Sequence, residues 1–214
     1  MGFEPSKFVA PPRPAFGAAR QHVAGTAPAA RLTTAADRRY ARAARTAAEL
    51  LPALPAKGET VHALMLGTFD LGQVIAAVAR LTPKLKHLRI ATLAYSARNV
   101  KELVALLEAR PGLRLTLLVS VFFRDHNKDA FAESSAELTA YPGAAVSADR
   151  NHAKVVCFDL GRGDGLVFEG SANLRGNGNR EQLAATRCRK LHDWHARWID
   201  EAVIHAQHEE AEAD

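Results

Sequence analysis

Two cysteines in 214 residues are too few for a disulfide framework. Cys157 lies in an apolar strand-like run and Cys188 in a helix-like one, so a reducing compartment, the cytoplasm, is the default. Nothing approaches the roughly 20 apolar residues of a membrane span, and no early apolar core marks a secretory signal. Membrane insertion and classical secretion are therefore not expected. A metal-ligand set is lacking too. His192 and His195 stand three apart and so adjacent on a helix, but no Cys or acidic pattern completes four ligands. Neither a metal nor a cofactor is predicted. Periodicity is missing from residues 1–30, which are rich in Pro, Ala and Gly and read as a flexible arm with a polyproline-like Pro-Pro-Arg-Pro segment. Residues 31–214 then suffice for one α/β domain and are too few for two comfortable ones.

What is present begins with positive charge. A formal net charge of +5 and a pI near 9.5 suit a polyanionic partner such as nucleic acid, although an Arg/Ala-rich composition by itself gives the same numbers. Thr33, Thr34 and Asp37 form a capping-box pattern, and Tyr40, Ala44, Ala47 and Leu51 recur at helical spacing before Pro52. The opposite face carries Arg38, Arg42 and Arg45, either a phosphate track or an ordinary solvated face. Short apolar strands and helices then alternate: strand 61–66, helix 71–81, strand 88–95, helix 100–110, strand 113–123. Gly67-Thr68-Phe69-Asp70 reads as the cap of the first of these helices. The alternation predicts a mixed, largely parallel sheet with helices on both faces. A final helix starting near Glu181 carries the apolar stripe Ala184, Cys188, Leu191, Trp194, Trp198 and Ala202. Its tryptophans read as core or as a dimer contact.

Chemistry concentrates between His152 and Glu181. Residues 152–160 and 166–170 are strand-like runs, and the Gly-Arg-Gly-Asp-Gly between them supplies turn residues, Asp164-Gly165 foremost. This hairpin adds antiparallel strands to the sheet. Alternation along a strand places His152 and Lys154 on one face, about 6.5 to 7 Å apart, a gap one phosphate bridges. Asp159 has the opposite parity. Arg124, His126 and Lys128 follow the third apolar run at the carboxyl end of a strand, where ligands of open α/β sheets bind, and are candidate substrate contacts.

The ordered set His152-x-Lys154, Asp159, Gly170-Ser171-x-Asn173, Asn179-x-Glu181 resembles the signature of the phospholipase D superfamily. The interval from Asp159 to Gly170 is longer than that family's usual spacing. The resemblance implies a metal-independent phosphodiesterase in which His152 attacks phosphorus and forms a phosphohistidine. A second histidine serves the leaving oxygen and then water. Lys154 and Asn173 would stabilise the phosphoryl oxygens, Ser171 would assist, Glu181 would orient the imidazole, and Asp159 would buttress the hairpin. With one motif per chain, the second histidine would come from a two-fold homodimer with the site on its axis. A nuclease acting on DNA or RNA is the leading expectation. The alternatives are a phospholipid-cleaving or phosphatidyl-transferring enzyme, and a catalytically silent nucleic-acid-binding module.

Overall fold

The alternation that begins at residue 60 is realised in the computed structural model, which describes residues 35–213 apart from 66, 68 and 177. The expected arm at 1–30 and the capping residues Thr33 and Thr34 lie outside the described residues. The chain order is α1 (Ala35–Leu50), β1 (Thr60–Met65), α2 (Leu71–Leu81), β2 (His87–Ala91), α3 (Ala97–Glu108), β3 (Arg114–Ser120), α4 (Val121–His126) and α5 (Lys128–Thr139). It continues with β4 (Ala144–Asp149), β5 (Val155–Gly161), β6 (Asp164–Gly170), β7 (Glu181–Thr186) and α6 (Arg189–Ala213). Local chemistry sets several of these bounds. Asp70 caps α2 and Ser96 caps α3, each in a reciprocal capping box with the residue three on, Gln73 and Asn99. Arg42 and Arg45 are exposed on α1.

The seven strands form one mixed sheet in the order β1-β7-β6-β5-β2-β3-β4. Its parallel part is confined to β2, β3 and β4, because β5 returns antiparallel beside β2 and the chain continues antiparallel through β6, β7 and β1. The parallel share is thus smaller than the alternation alone suggests. Three boundaries also move. The third strand stops at Ser120, whose side chain accepts from Phe122 N and caps α4, so Phe122 and Phe123 are helical. Residues 181–186 form strand β7 rather than the start of the last helix, and Cys188 precedes α6. Ala184 prolongs the helical stripe of Cys188 and Leu191 while Leu183 and Ala185 alternate as in a strand, and pairing on both sides decides for strand. The hairpin reverses at Gly161, Arg162 and Gly163, all with positive φ, while Asp164 and Gly165 belong to β6. Gly165 is needed for packing instead, since a Cβ there would stand 2.6 Å from the His192 ring.

Alternate side chains feed two cores. Leu88, Ile90, Leu117, Phe158 and Phe168 pack with α1, α2 and α3 on one face, each contributing about 1.5–3 kcal/mol on burial. On the other face Ala91, Leu118, Val155, Cys157 and Val167 pack against Ile199 and Val203 of α6. Helices therefore cover both faces. Burial pushes the Cys157 thiol up to about 12, which makes it unreactive. Trp198 is partly buried against this second core, but Trp194 is 63% exposed, so only one of the two tryptophans serves packing.

The α6 face also buries polar groups. Arg89 donates to both oxygens of Asp200 at 2.8 and 2.9 Å. His87 Nε2 lies 2.8 Å from Thr116 Oγ1, while its Nδ1 has no hydrogen-bond partner. Burial, then the Arg89 and Arg114 charges, lower the His87 pKa from 6.5 to about 4. The unfolded chain thus binds a proton that the folded chain refuses. This contribution to stability is complete above the unfolded value and is lost as pH falls from about 6.5 toward 4. The shift corresponds to roughly 3 kcal/mol. Urea midpoints between pH 7 and 4.5 should fall less steeply for His87→Gln, whose amide can keep the Thr116 bond; equal slopes would remove His87 as the cause.

Candidate active site

Strand direction brings five loops to one edge of the sheet. Ala91 pairs with Val155, Ser120 with Asp149, Val155 with Glu169, and Met65 with Glu181. The carboxyl ends of β1, β2, β3, β4 and β6 and the amino ends of β5 and β7 therefore coincide. This is the edge at which open α/β sheets bind ligands.

His152 and Lys154 stand there in the loop before β5 rather than within the strand, which begins at Val155. Their common orientation comes from direct contact, not from the strand pleat. Lys154 Nζ lies 2.9 Å from His152 Nδ1 and donates to the His152 carbonyl at 2.6 Å. Asn151 holds this loop in place. Its Nδ2 donates to the Thr92 and Leu118 carbonyls at 3.2 and 3.4 Å, and its Oδ1 accepts from Ala153 N at 2.8 Å. The loop is thereby tied to the ends of β2 and β3. The His152 ring is exposed, while Lys154 is half-buried. Burial lowers the Lys154 pKa, opposed by the charge of Glu181.

The Gly170-Ser171-x-Asn173 segment arrives from β6. A Cβ on Gly170 would stand 2.1 Å from the Gln182 carbonyl oxygen, so glycine is required by the close approach of β7. Ser171 Oγ donates to Glu181 Oε2 and accepts from Gln182 N at 3.1 Å, which locks the loop to the first residues of β7. Asn173 Oδ1 accepts from Leu93 N at 3.1 Å and from Thr92 Oγ1 at 3.4 Å. Its carbonyl is thus occupied, and its amide nitrogen is the end offered for donation. Asn173, Asn179 and Glu181 line one cleft together with Asp70 and Arg175.

The remaining expected site residues lie elsewhere or play other parts. Asp159 is five residues along β5 from Lys154, at the opposite end of the strand, where Oδ1 accepts from Gly161 N at 2.9 Å and pairs with Arg189 at 3.4 Å. It buttresses the hairpin and is too far along the strand to touch the same ligand, since each residue advances about 3.3 Å. Arg124, His126 and Lys128 fall on α4 and the start of α5, beyond the correct end of β3. His126 Nδ1 bonds the Phe122 carbonyl at 2.8 Å and Arg124 pairs with Asp125 at 2.9 Å. His192 and His195 belong to α6 and are buried on its sheet-facing side. His195 Nδ1 accepts from Trp198 Nε1 at 3.0 Å, so Nε2 carries the proton facing Glu169 Oε1 at 3.1 Å; His192 Nδ1 faces Asp193 at 3.0 Å. Sequence reasoning passed over Asn151, Thr92 and Arg175. Asn151 directly precedes His152, and a polar side chain beside a reactive one is the signal that points to it.

No protein-family model matches this chain, and no curated protein sequence does either. Solved structures do. A phospholipase D family member, Nuc from Salmonella typhimurium, superposes with a TM-score of 0.50 at 16% identity, covering 67% of this chain and 94% of that one. The chain has the phospholipase D fold. Polyphosphate kinase from Porphyromonas gingivalis superposes with a TM-score of 0.51 at 12% identity, over 67% of this chain but only 26% of that longer one. On this phospholipase D-like sheet His152, Lys154, Gly170, Ser171, Asn173 and Glu181 come to a single edge, and Asp159 lies at the other. Among the described residues no helix is long and apolar enough to cross a membrane.

Proposed function

We propose that the protein is a homodimeric phosphodiesterase that cleaves nucleic acid through a phosphohistidine, with its site on the two-fold axis. The observation that carries this reading is the convergence of an exposed imidazole and a half-buried ammonium, 2.9 Å apart, on the edge that also presents Asn173 and Ser171. An anionic phosphodiester arriving at that edge draws the ammonium away from the ring and frees an imidazole nitrogen to face phosphorus. His152 forms a P–N bond as the P–O bond to the leaving group breaks. The leaving oxygen takes a proton from a second imidazolium. That imidazole then accepts a proton from water, whose oxygen attacks phosphorus and breaks the P–N bond. Lys154 and the Asn173 amide meet the negative charge that builds on the non-bridging oxygens.

The second imidazole is assigned to His152 of the partner subunit. Among the described histidines, His87, His192 and His195 are buried on the α6 face, His126 bonds the Phe122 carbonyl, His62 lies in the middle of β1 opposite Ala184, and His205 and His208 stand in the second half of α6, so symmetry is taken as the source. The exposed Trp194 supplies an interface anchor of a suitable kind. In this reading Lys154 provides the positive charge and side chains provide proton transfer, so turnover requires no metal. The pI near 9.5 favours a nucleic-acid substrate, and two free cysteines favour a reducing compartment.

Single-stranded DNA or RNA should be cleaved by purified protein in EDTA, with a nucleotide adduct on His152 trapped by quenching into base and located by mass spectrometry. Sedimentation should give a dimer. Intact DNA and RNA with headgroup release from phospholipid vesicles would transfer the same chemistry to lipid. Salt-sensitive DNA binding with neither cleavage nor adduct would leave a binding module.

A further inference from the structure

A cavity of about 510 Å³ opens beside the motif loops, between α3 and α5. Its place is fixed by the same contacts that fix the site: Arg175 N bonds the Ala94 carbonyl at 3.4 Å, so the segment carrying Asn173 is tied to the β2–α3 loop. Arg175 lines both this cavity and the cleft of Asn173 and Glu181. The two spaces therefore adjoin at one exposed guanidinium.

The walls have a definite chemistry. Tyr95 and Phe123 meet ring to ring at 4.5 Å and, with Val100, line the apolar part of the cavity. From α5 come Ala130, Glu133, Ser134 and Glu137, the i, i+3, i+4, i+7 stripe of one helix face. Lys101 joins Arg175 as the second cation in the lining. Two carboxylates on one wall repel an anion and present acceptors to N–H groups, while the cations suit a phosphate at one end. An aliphatic chain would leave those carboxylates facing hydrocarbon, an unfavourable arrangement. A planar, neutral group with amino donors, attached to a phosphate, matches every wall. The volume lies within the usual range for small-molecule sites.

We infer that this cavity is a nucleoside subsite: it receives the base and sugar flanking the scissile phosphodiester, a base bearing an exocyclic amino group is preferred, and Arg175 holds the intervening phosphate. The inference deepens the nuclease reading and rests on it for the identity of the polymer. Binding at the cavity is nevertheless measurable without turnover.

The test uses titration calorimetry on the intact protein with cytidine 5′-monophosphate, uridine 5′-monophosphate and ribose 5-phosphate. Wild type should bind the cytidine nucleotide about ten-fold or more tightly than ribose phosphate, as expected for a base packed on aromatic side chains, and more tightly than the uridine nucleotide. Ala130→Trp, at an exposed helical position, fills the cavity and should reduce the cytidine nucleotide to the affinity of ribose phosphate. Arg175→Ala should weaken all three ligands by a similar factor and keep their order. Equal affinity of wild type for cytidine nucleotide and ribose phosphate overturns the subsite, as does a base preference that survives Ala130→Trp in a protein of unchanged thermal midpoint. A base preference in a protein that cleaves no nucleic acid would instead retain the subsite and overturn the nuclease reading.

Discussion

His152→Asn should abolish turnover, lowering the rate of nucleic-acid cleavage in EDTA by roughly 10⁴-fold or more while leaving the fold intact. The ring is exposed, so its removal opens no cavity, and Asn151 continues to anchor the loop through Thr92 and Leu118. In the proposed mechanism the substitution removes the atom that bonds to phosphorus, and in a symmetric dimer it also removes the proton donor from the opposite side. Loss of both should exceed the loss expected for a residue that only orients substrate. Lys154→Ala separates the roles: it should slow cleavage through lost charge on the phosphoryl oxygens, yet still accumulate some adduct on His152. A His152→Asn protein that cleaves as fast as wild type would end the phosphohistidine mechanism whatever else the site binds.

Gly170→Ala should cost about 3 kcal/mol of stability or more, in the range of severe overpacking, and should depress activity in whatever fraction still folds. The new Cβ would sit 2.1 Å from the Gln182 carbonyl oxygen, a backbone atom that cannot rotate aside. Relief requires β6 and β7 to part where Ser171 N bonds Gln182 O at 3.1 Å. That separation also pulls Ser171 away from Glu181. Urea unfolding of Gly170→Ala against Gly163→Ala makes a control, since Gly163 has open space around its missing Cβ but a positive φ of 73°. Gly163→Ala should show only the smaller penalty of a left-handed backbone. Comparable losses would mean that close approach is not what glycine serves at position 170.

The hairpin and the motif were legible because their signals are local. Short apolar, β-branched and aromatic runs within 152–160 and 166–170, with glycines between, specify two strands and a turn wherever the segment sits. Segment 181–186 was not legible, since six residues are too few to show a period and Ala184 extends the helical stripe of Cys188 and Leu191. Only pairing to β1 and β6 resolves it. The third strand was read too long for a similar reason: Phe122 and Phe123 prolong an apolar run, and the cap offered by Ser120 is a single hydroxyl. Trp194 and Trp198 share a sequence stripe but differ in exposure, because the sheet beneath α6 reaches only one of them.

By itself the sequence determined which reactive side chains this chain carries and in what order: His152, Lys154, Ser171, Asn173 and Glu181 are fixed as residue types along one covalent chain. The tertiary structure alone decided which of them meet. Residues twenty apart become neighbours only because β5, β6 and β7 run antiparallel and end at a common edge, and Asp159 is carried away by the same geometry. Arg175 and the cavity it borders were invisible for that reason. A pocket between α3 and α5 is a property of distances across the fold, which no local spacing records.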